Sequence, residues 1–326
     1  MAEEAADPRE VAWHPRRSET LVGHAAAEER LLHAHRSGRL HHAWLISGPT
    51  GIGKATLAYR FARVLLGAKA ARQIAARSHP DLLVIERRFD AKTKKLKSEI
   101  AVDDAREATG FFARTAGAGG WRIAIVDSAD DLNKESANAL LKVIEEPPRR
   151  SVFLLVSSRP GALLRTIRSR TIELPLHKLS LEDTLTVLRD LPPVARLSEE
   201  VLRQAAQLSE GSPGRALELA GSKGAETFAA FRAGPRLSPS RCVDLAAGFA
   251  GRDSATDFAI FSGLLVDWIA AKARSEALAG ARAAALAKAH DDIAASLRQT
   301  DALNLDRRQT VVDALLALDE ALKVNP

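Results

Sequence analysis

Short apolar runs alternate with amphipathic segments over the first 175 residues of the chain. Runs of this length, bounded by polar or glycine-rich sequence, are typical of buried strands. The five runs are 43–47, 82–85, 122–126, 152–156 and 171–174. Apolar residues at three- and four-residue spacing predict helices at 25–37, 54–66, 103–114 and 134–144. Because strands and helices alternate, we expect an α/β domain with a parallel five-stranded sheet and crossover helices.

The strand pattern stops at residue 175, and only helical periodicity continues beyond it. A Gly-Ser-Pro-Gly turn at 211–214 interrupts the first group of helices, and the later helices are rich in Ala and Leu. Residues 1–17, with two prolines and little periodicity, predict a loose N-terminal arm. The expected domains are an α/β domain at 1–178, a small helical domain at 179–235 and an all-helical domain at 236–326.

The composition is that of a globular protein, with 46% hydrophobic and 27% charged residues among 326. Cys242 is the only cysteine, so the sequence predicts neither an internal disulfide nor a cysteine-based zinc site. No apolar run is long enough to cross a membrane, and the first dozen residues lack the core of a signal peptide. We therefore expect a soluble cytoplasmic protein. The net charge of +6 permits contact with nucleic acid without requiring it.

A glycine-rich turn follows the first predicted strand, where Gly48, Gly51, Gly53 and Lys54 fit the pattern G-x-x-x-x-G-K. The glycines allow backbone N–H groups to surround phosphate oxygens, and the next helix adds the partial positive charge of its N-terminus. Lys54 would meet the β- and γ-phosphates of a nucleotide. The pattern alone is weak, but its place between a buried strand and an amphipathic helix supports a phosphate-binding loop.

Two groups that nucleotide hydrolysis needs are missing from the sequence. Ala55 stands where a Ser or Thr hydroxyl would bind Mg²⁺, and Thr56 is turned about 100° further around the helix. Asp127 is placed to hold a metal ion through water, but Ser128 replaces the glutamate that would activate the attacking water. We expect negligible hydrolysis and no resident metal ion. Two interpretations stay open: the loop binds ATP or ADP without hydrolysis, or it is retained for the fold alone.

Arg170 precedes the last predicted strand, at the edge of the α/β domain. Its guanidinium could reach a γ-phosphate held by a neighbouring subunit and stabilise the charge of the transition state there. The alternative is a surface arginine paired with a nearby acid. The basic segment 87–97 also has two interpretations, a DNA contact or an ordinary solvated loop or hairpin.

Several segments occur in a fixed order along the chain. His42-Ala-Trp-Leu-Ile-Ser-Gly-Pro leads into the glycine loop, Ser78-His-Pro-Asp-Leu enters the second strand, and Ile100-Ala-Val-Asp-Asp-Ala-Arg begins a helix. Asp127-Ser-Ala-Asp is followed by Asn138-Ala-Leu-Leu-Lys-Val-Ile-Glu-Glu-Pro-Pro, the most specific segment of the set. Together they resemble the bacterial clamp-loader subunits of the AAA+ superfamily, closely over roughly residues 20–220 and more loosely in the C-terminal helices.

The resemblance implies that the three predicted domains are an AAA+-type P-loop domain, a helical lid and a C-terminal collar for ring assembly. Because Ala55 and Ser128 replace groups that motor subunits carry, the chain is similar to the non-motor type. The implied partners are the delta and gamma/tau subunits, the sliding clamp and primer-template DNA, within the DNA polymerase III holoenzyme. No cofactor is required, and no zinc is expected because 67–78 lacks the cysteines of the family's zinc module.

The resemblance also implies roles for two arginines. Ser169 and Arg170 match the start of the family's Ser-Arg-Cys motif, which makes Arg170 an arginine finger for the adjacent motor, although Thr171 departs from the motif. Arg215 ends a segment similar to the one that carries the sensor-2 arginine, so it would lie near this chain's own nucleotide site. Two other functions remain as alternatives, an active AAA+ ATPase motor and a stand-alone DNA-binding protein that uses 87–97.

Overall fold

The computed structural model describes residues 7, 9–114, 120–234, 237–276 and 280–324. Its strands are β1 (Ala43–Ser47), β2 (Leu82–Ile85), β3 (Phe89–Asp90), β4 (Lys95–Leu96), β5 (Arg122–Asp127), β6 (Ser151–Ser157) and β7 (Ile172–Pro175). Five of the described strands form one parallel sheet in the order β2-β5-β6-β1-β7, and β3 pairs antiparallel with β4. The predicted five-stranded parallel sheet is confirmed.

Helices connect these strands and make up the rest of the fold. They are α1 (Ala25–Arg36), α2 (Lys54–Leu66), α3 (Ala71–Ala75), α4 (Val102–Phe112), α5 (Lys134–Glu145), α6 (Arg165–Arg168), α7 (Leu181–Arg189), α8 (Glu199–Leu208), α9 (Pro213–Leu219), α10 (Lys223–Ala233), α11 (Pro239–Ala246), α12 (Ala255–Ser275), α13 (Ala281–Leu303) and α14 (Arg307–Lys323). Several begin at a side-chain cap, such as Asn133 of α5, which accepts from the Ser136 N–H. The prolines at 147 and 148 prevent α5 from continuing.

The central strand β1 is buried along its whole length because β6 and β7 flank it and helices cover both faces of the sheet. Trp44 and Ile46 belong to the apolar core that includes residues of α2, whereas Ala43 and Leu45 belong to the core on the other face, with α5. A strand covered on both faces needs apolar residues at every position. This requirement explains the continuous apolar run that identified the strand.

Contacts divide the chain into two compact units, one of 1–195 with 210–215 and the other of 196–209 with 216–326. In its described residues the second unit is helical, and its core is rich in phenylalanine: Phe228, Phe231, Phe249, Phe258 and Phe261 are all buried. The division of the sequence into three domains remains a prediction. Among the described residues, no helix combines the length and apolar character needed to cross a bilayer.

A buried arginine attaches part of the N-terminal segment to α3 within the first unit. The side chain of Arg16 is 1% exposed, its Nε donates to Ala75 O at 3.0 Å, and its Nη2 pairs with Glu10 at 2.5 Å. A buried charge is tolerated in a protein only when it is paired and hydrogen-bonded. These contacts therefore hold part of the predicted arm in one place.

Candidate functional site

The glycine loop joins the end of β1 to the start of α2. Gly48, Gly51 and Gly53 have φ values of 142°, 75° and 102°, a region that favours glycine. A Cβ atom on Gly48 would lie 2.4 Å from Leu176 O, and one on Gly51 would lie 2.5 Å from Ser212 Oγ. The glycines are therefore needed for the shape and close packing of the loop, apart from any contact with phosphate.

Lys54 begins α2 and turns its ammonium back onto the loop. The residue is 5% exposed. Its Nζ donates to Gly48 O at 2.8 Å, Pro49 O at 2.5 Å and Ser158 Oγ at 2.9 Å. Because an ammonium has three donors, these contacts within the chain satisfy the whole group. Burial lowers the pKa of Lys54 to about 8, an effect that two nearby aspartates partly oppose.

The Gly-Ser-Pro-Gly turn packs directly on the loop. Ser212 Oγ donates to Thr50 O at 2.8 Å, and the Gly214 N–H donates to Gly51 O at 2.9 Å. A Cβ atom on Gly214 would lie 2.8 Å from the Gly51 Cα, so only glycine fits here without a shift. The N–H of Arg215, which is half-buried, donates to Ser212 Oγ at 3.2 Å. The turn therefore contacts the loop through the Ser212 hydroxyl and the main chain of Gly214.

A second network joins the ends of β5 and β6 to the loop. Asp130, just after β5, accepts a hydrogen bond from Ser157 Oγ at 2.6 Å and from the Ser158 N–H at 2.5 Å. Ser158 Oγ in turn accepts from Lys54 and from Thr50 Oγ1, the latter at 3.1 Å. Hydrogen bonds between the chain's own groups therefore connect the carboxyl ends of three parallel strands.

The groups available near the loop do not fit a catalytic Mg²⁺ site. Asp127 is half-buried at the end of β5, and burial, with the charge of Glu86, raises its pKa to about 6. Ala55 offers only a methyl group, and Thr56 is half-buried at the next position of α2. In the part of the chain that the structure describes, no group of three or more His, Cys, Asp or Glu residues could hold a metal ion.

Arg170 lies between α6 and β7, away from the loop network, and its side chain is 38% exposed. Nη2 pairs with Glu145 Oε1 at 2.8 Å, and Nη1 donates to Thr166 O at 3.0 Å and to Ser169 Oγ at 3.2 Å. The arginine is thus held by its own subunit but remains partly open to solvent. The surface ion pair that the sequence offered as one interpretation is present. The guanidinium is also partly exposed, as an arginine finger would require.

The basic segment 87–97 contains the β3–β4 hairpin. Arg87 pairs with Asp131 at 3.0 Å, and Arg88 pairs with Glu107 at 2.7 Å and with Asp104. Ion pairs therefore fix the base of the hairpin, which is needed because such short strands are not stable alone. The exposed lysines of the segment are Lys92, Lys94, Lys95 and Lys97.

Sequence reasoning missed Ser157 and Ser158 as parts of the site. Both follow the apolar positions of β6, which pairs directly with β1. Ligand sites in parallel sheets lie beyond the carboxyl ends of the strands. Two serines at the end of a strand next to the loop strand were therefore an available signal.

The comparisons by sequence find subunits of bacterial DNA polymerase III. A family profile described as "DNA polymerase III, delta subunit" matches residues 23–180. The DNA polymerase III subunit delta' of Pseudomonas aeruginosa is 38% identical over 195 residues, which cover 55% of this chain and 56% of the relative. The delta' subunit of Escherichia coli is 34% identical over 202 residues, covering 59% and 58%. The Escherichia coli tau subunit is 30% identical over 220 residues, covering 64% and 33%.

The sheet order, with a glycine loop between the central strand and an amphipathic helix, defines a P-loop protein of the AAA+ type. The family profile and the delta' relatives show that the chain is similar to the delta-prime subunits of bacterial DNA polymerase III. The predicted resemblance is confirmed. The chain spans somewhat more than half the length of the delta' relatives it matches.

Proposed function

We propose that this chain is the non-motor, delta-prime subunit of a clamp-loader ring and acts in the cytoplasm. In this role it helps motor subunits to place the sliding clamp on primed DNA, with the delta and gamma/tau subunits as ring partners. The observation that carries the proposal is the contrast between the two cations: Lys54 is satisfied inside its own loop, whereas Arg170 is partly exposed at an edge.

At the chain's own loop, we expect no hydrolysis. A nucleotide would have to compete with Gly48 O, Pro49 O and Ser158 Oγ for the ammonium of Lys54. A bound ATP or ADP would then find a methyl group at Ala55 where Mg²⁺ needs a ligand, and no carboxylate at Ser128 to activate water. The loop glycines and Lys54, with Thr56, Asp127 and Arg215, therefore form a degenerate site that needs neither nucleotide nor zinc for its fold.

In the neighbouring subunit's site, Arg170 would act as an arginine finger. A guanidinium placed against a γ-phosphate stabilises the negative charge that develops during phosphoryl transfer, with an effect of about 10³–10⁵ in rate. Arginine suits this role because its charge is permanent and its planar fork matches phosphate geometry. Contact with primer-template DNA would be with backbone phosphates, so it should weaken as salt increases and should not depend on sequence.

Reconstitution that leaves out one subunit at a time tests this function. The chain is mixed with delta, gamma/tau and the clamp, and assembly, ATP hydrolysis and clamp loading on primed DNA are measured with and without it. We expect a stable complex, with stimulated hydrolysis and loading that depend on the chain. A chain that does not co-purify with the other subunits, or whose omission changes neither rate, would contradict the proposal.

A further inference from the structure

The ion pair between Arg170 and Glu145 is not explained by the proposed arginine-finger role alone. Its Nη2 pairs with Glu145 Oε1 at 2.8 Å, and its Nη1 has two acceptors on the segment 166–169. A guanidinium has five N–H donors in a rigid fork, so contacts on two sides fix its plane while two donors remain outside them. Glu145 ends α5, within the segment 138–148 that has no part in the glycine loop.

Stability of the fold is a weak explanation for this ion pair. The two side chains are 38% and 44% exposed, and such pairs contribute little to folding because water solvates both charges well. Helix α5, which carries Glu145, and α6, which precedes Arg170, are joined independently by apolar packing, since Leu140 and Ile167 lie buried in one core. Removal of the Glu145 carboxylate should therefore leave the fold intact.

We propose that Glu145 is a positioning residue that holds the Arg170 guanidinium in place before it meets the phosphate of the neighbouring subunit. This inference rests on the proposed role of Arg170 in trans. A long side chain loses rotamer freedom when it is ordered at an interface, and that loss opposes its function. An arginine already held by a carboxylate on one side has lost much of this freedom before the subunits meet.

The test uses the reconstituted ring with full-length subunits and three variants of this chain, Glu145→Ala, Glu145→Gln and Glu146→Gln. Glu146 is the matched control because it is the adjacent, exposed glutamate. Glu145→Ala should lower kcat for DNA- and clamp-stimulated ATP hydrolysis by about two- to tenfold, with the KM for ATP and ring assembly unchanged. Glu145→Gln keeps a hydrogen-bond acceptor and should lose less, whereas Glu146→Gln should match the wild type.

A double-mutant cycle separates positioning from a structural effect. In an Arg170→Ala background, Glu145→Ala should cause no further loss of kcat, because the group it positions is gone. Wild-type kcat in Glu145→Ala, or an equal loss in both backgrounds, would overturn the positioning role. Full activity in Arg170→Ala alone would instead contradict the arginine-finger role of Arg170. Failure of the positioning role and failure of the finger role therefore give different results. Thermal unfolding of each variant checks that the fold is retained.

Discussion

Two cations of the α/β unit, Lys54 and Arg170, differ in burial and in how many of their donors are satisfied. Lys54, in the glycine loop, is 5% exposed, and its three donors are satisfied by two loop carbonyls and Ser158. Arg170, at the edge between α6 and β7, is 38% exposed and retains donors outside its described contacts. A phosphate-binding motif can therefore contribute mainly to the packing of its own loop, as Lys54 does here. The cation that is partly exposed, Arg170, belongs to a sequence motif that is much less specific.

The largest expected effect follows from removing the outward cation. Arg170→Ala should lower the rate at the adjacent ATP site by about 10³–10⁵, so the ring should lose most of its DNA- and clamp-stimulated hydrolysis while still assembling. Arg168→Ala is the matched control, since Arg168 is an exposed arginine two residues away. Phosphate release by the reconstituted ring measures both variants. Equal rates of ATP hydrolysis with Arg170→Ala and Arg168→Ala would contradict a special role for Arg170.

A change on the loop side should affect stability rather than hydrolysis. The pKa of Asp127 is raised from 3.8 to about 6, so the folded chain binds this proton more tightly than the unfolded chain does. Stability therefore falls as the pH rises from about 4 to about 6, and Asp127→Asn removes that loss. At pH 7.5 the variant should gain roughly 1–3 kcal/mol in free energy of unfolding, and at pH 4 it should gain almost nothing.

Urea unfolding at both pH values measures the effect of Asp127→Asn, and the same protein is then assembled into the ring. If the loop is idle, ring hydrolysis should stay at the wild-type rate. A destabilised variant at pH 7.5, or a ring that stops hydrolysing ATP, would show that the Asp127 carboxylate has a function that the loop network conceals.

The smallest expected effect concerns the exposed lysines of the hairpin. With Lys92, Lys94, Lys95 and Lys97 all changed to Gln, the affinity of the isolated chain for primed DNA should change by less than about twofold, because we expect the wild type to bind only weakly. Fluorescence anisotropy at several salt concentrations measures this, with the four Lys→Arg changes as a control. Sub-micromolar binding by the wild type, with a salt dependence that decreases in the Gln variant, would favour a stand-alone DNA-binding protein.

The strands and the glycine loop could be predicted because their signals are local. β1 and β2 have the boundaries that their apolar runs predicted, since a strand buried on both faces cannot tolerate polar residues inside it. At 87–97 the sequence predicts only a loop or hairpin, because its polar composition has no apolar face to fix a strand register. The hairpin is instead held in place by ion pairs from its two arginines to residues distant in the sequence.

The contacts of the candidate site could not be predicted in the same way. Lys54 and its partner Ser158 are separated by 104 positions, and Thr50 and Ser212 by 162. No periodicity links such pairs, because only the finished fold brings them together. The sequence predicts an ion pair of Arg170 as one alternative, but the identity of its partner, Glu145, depends on how α5 packs beside α6. The missing hydroxyl and carboxylate, by contrast, were visible from residue identity alone.

Hydrolysis of Mg²⁺–ATP by the isolated full-length chain tests the central claim most directly. The comparison is phosphate release by the wild type against Lys54→Ala, without any other subunit present. An idle loop predicts that the two proteins are indistinguishable and that neither exceeds the rate of ATP alone. Sustained turnover by the wild type that Lys54→Ala abolishes would contradict the account, because the chain would then be a motor in its own right.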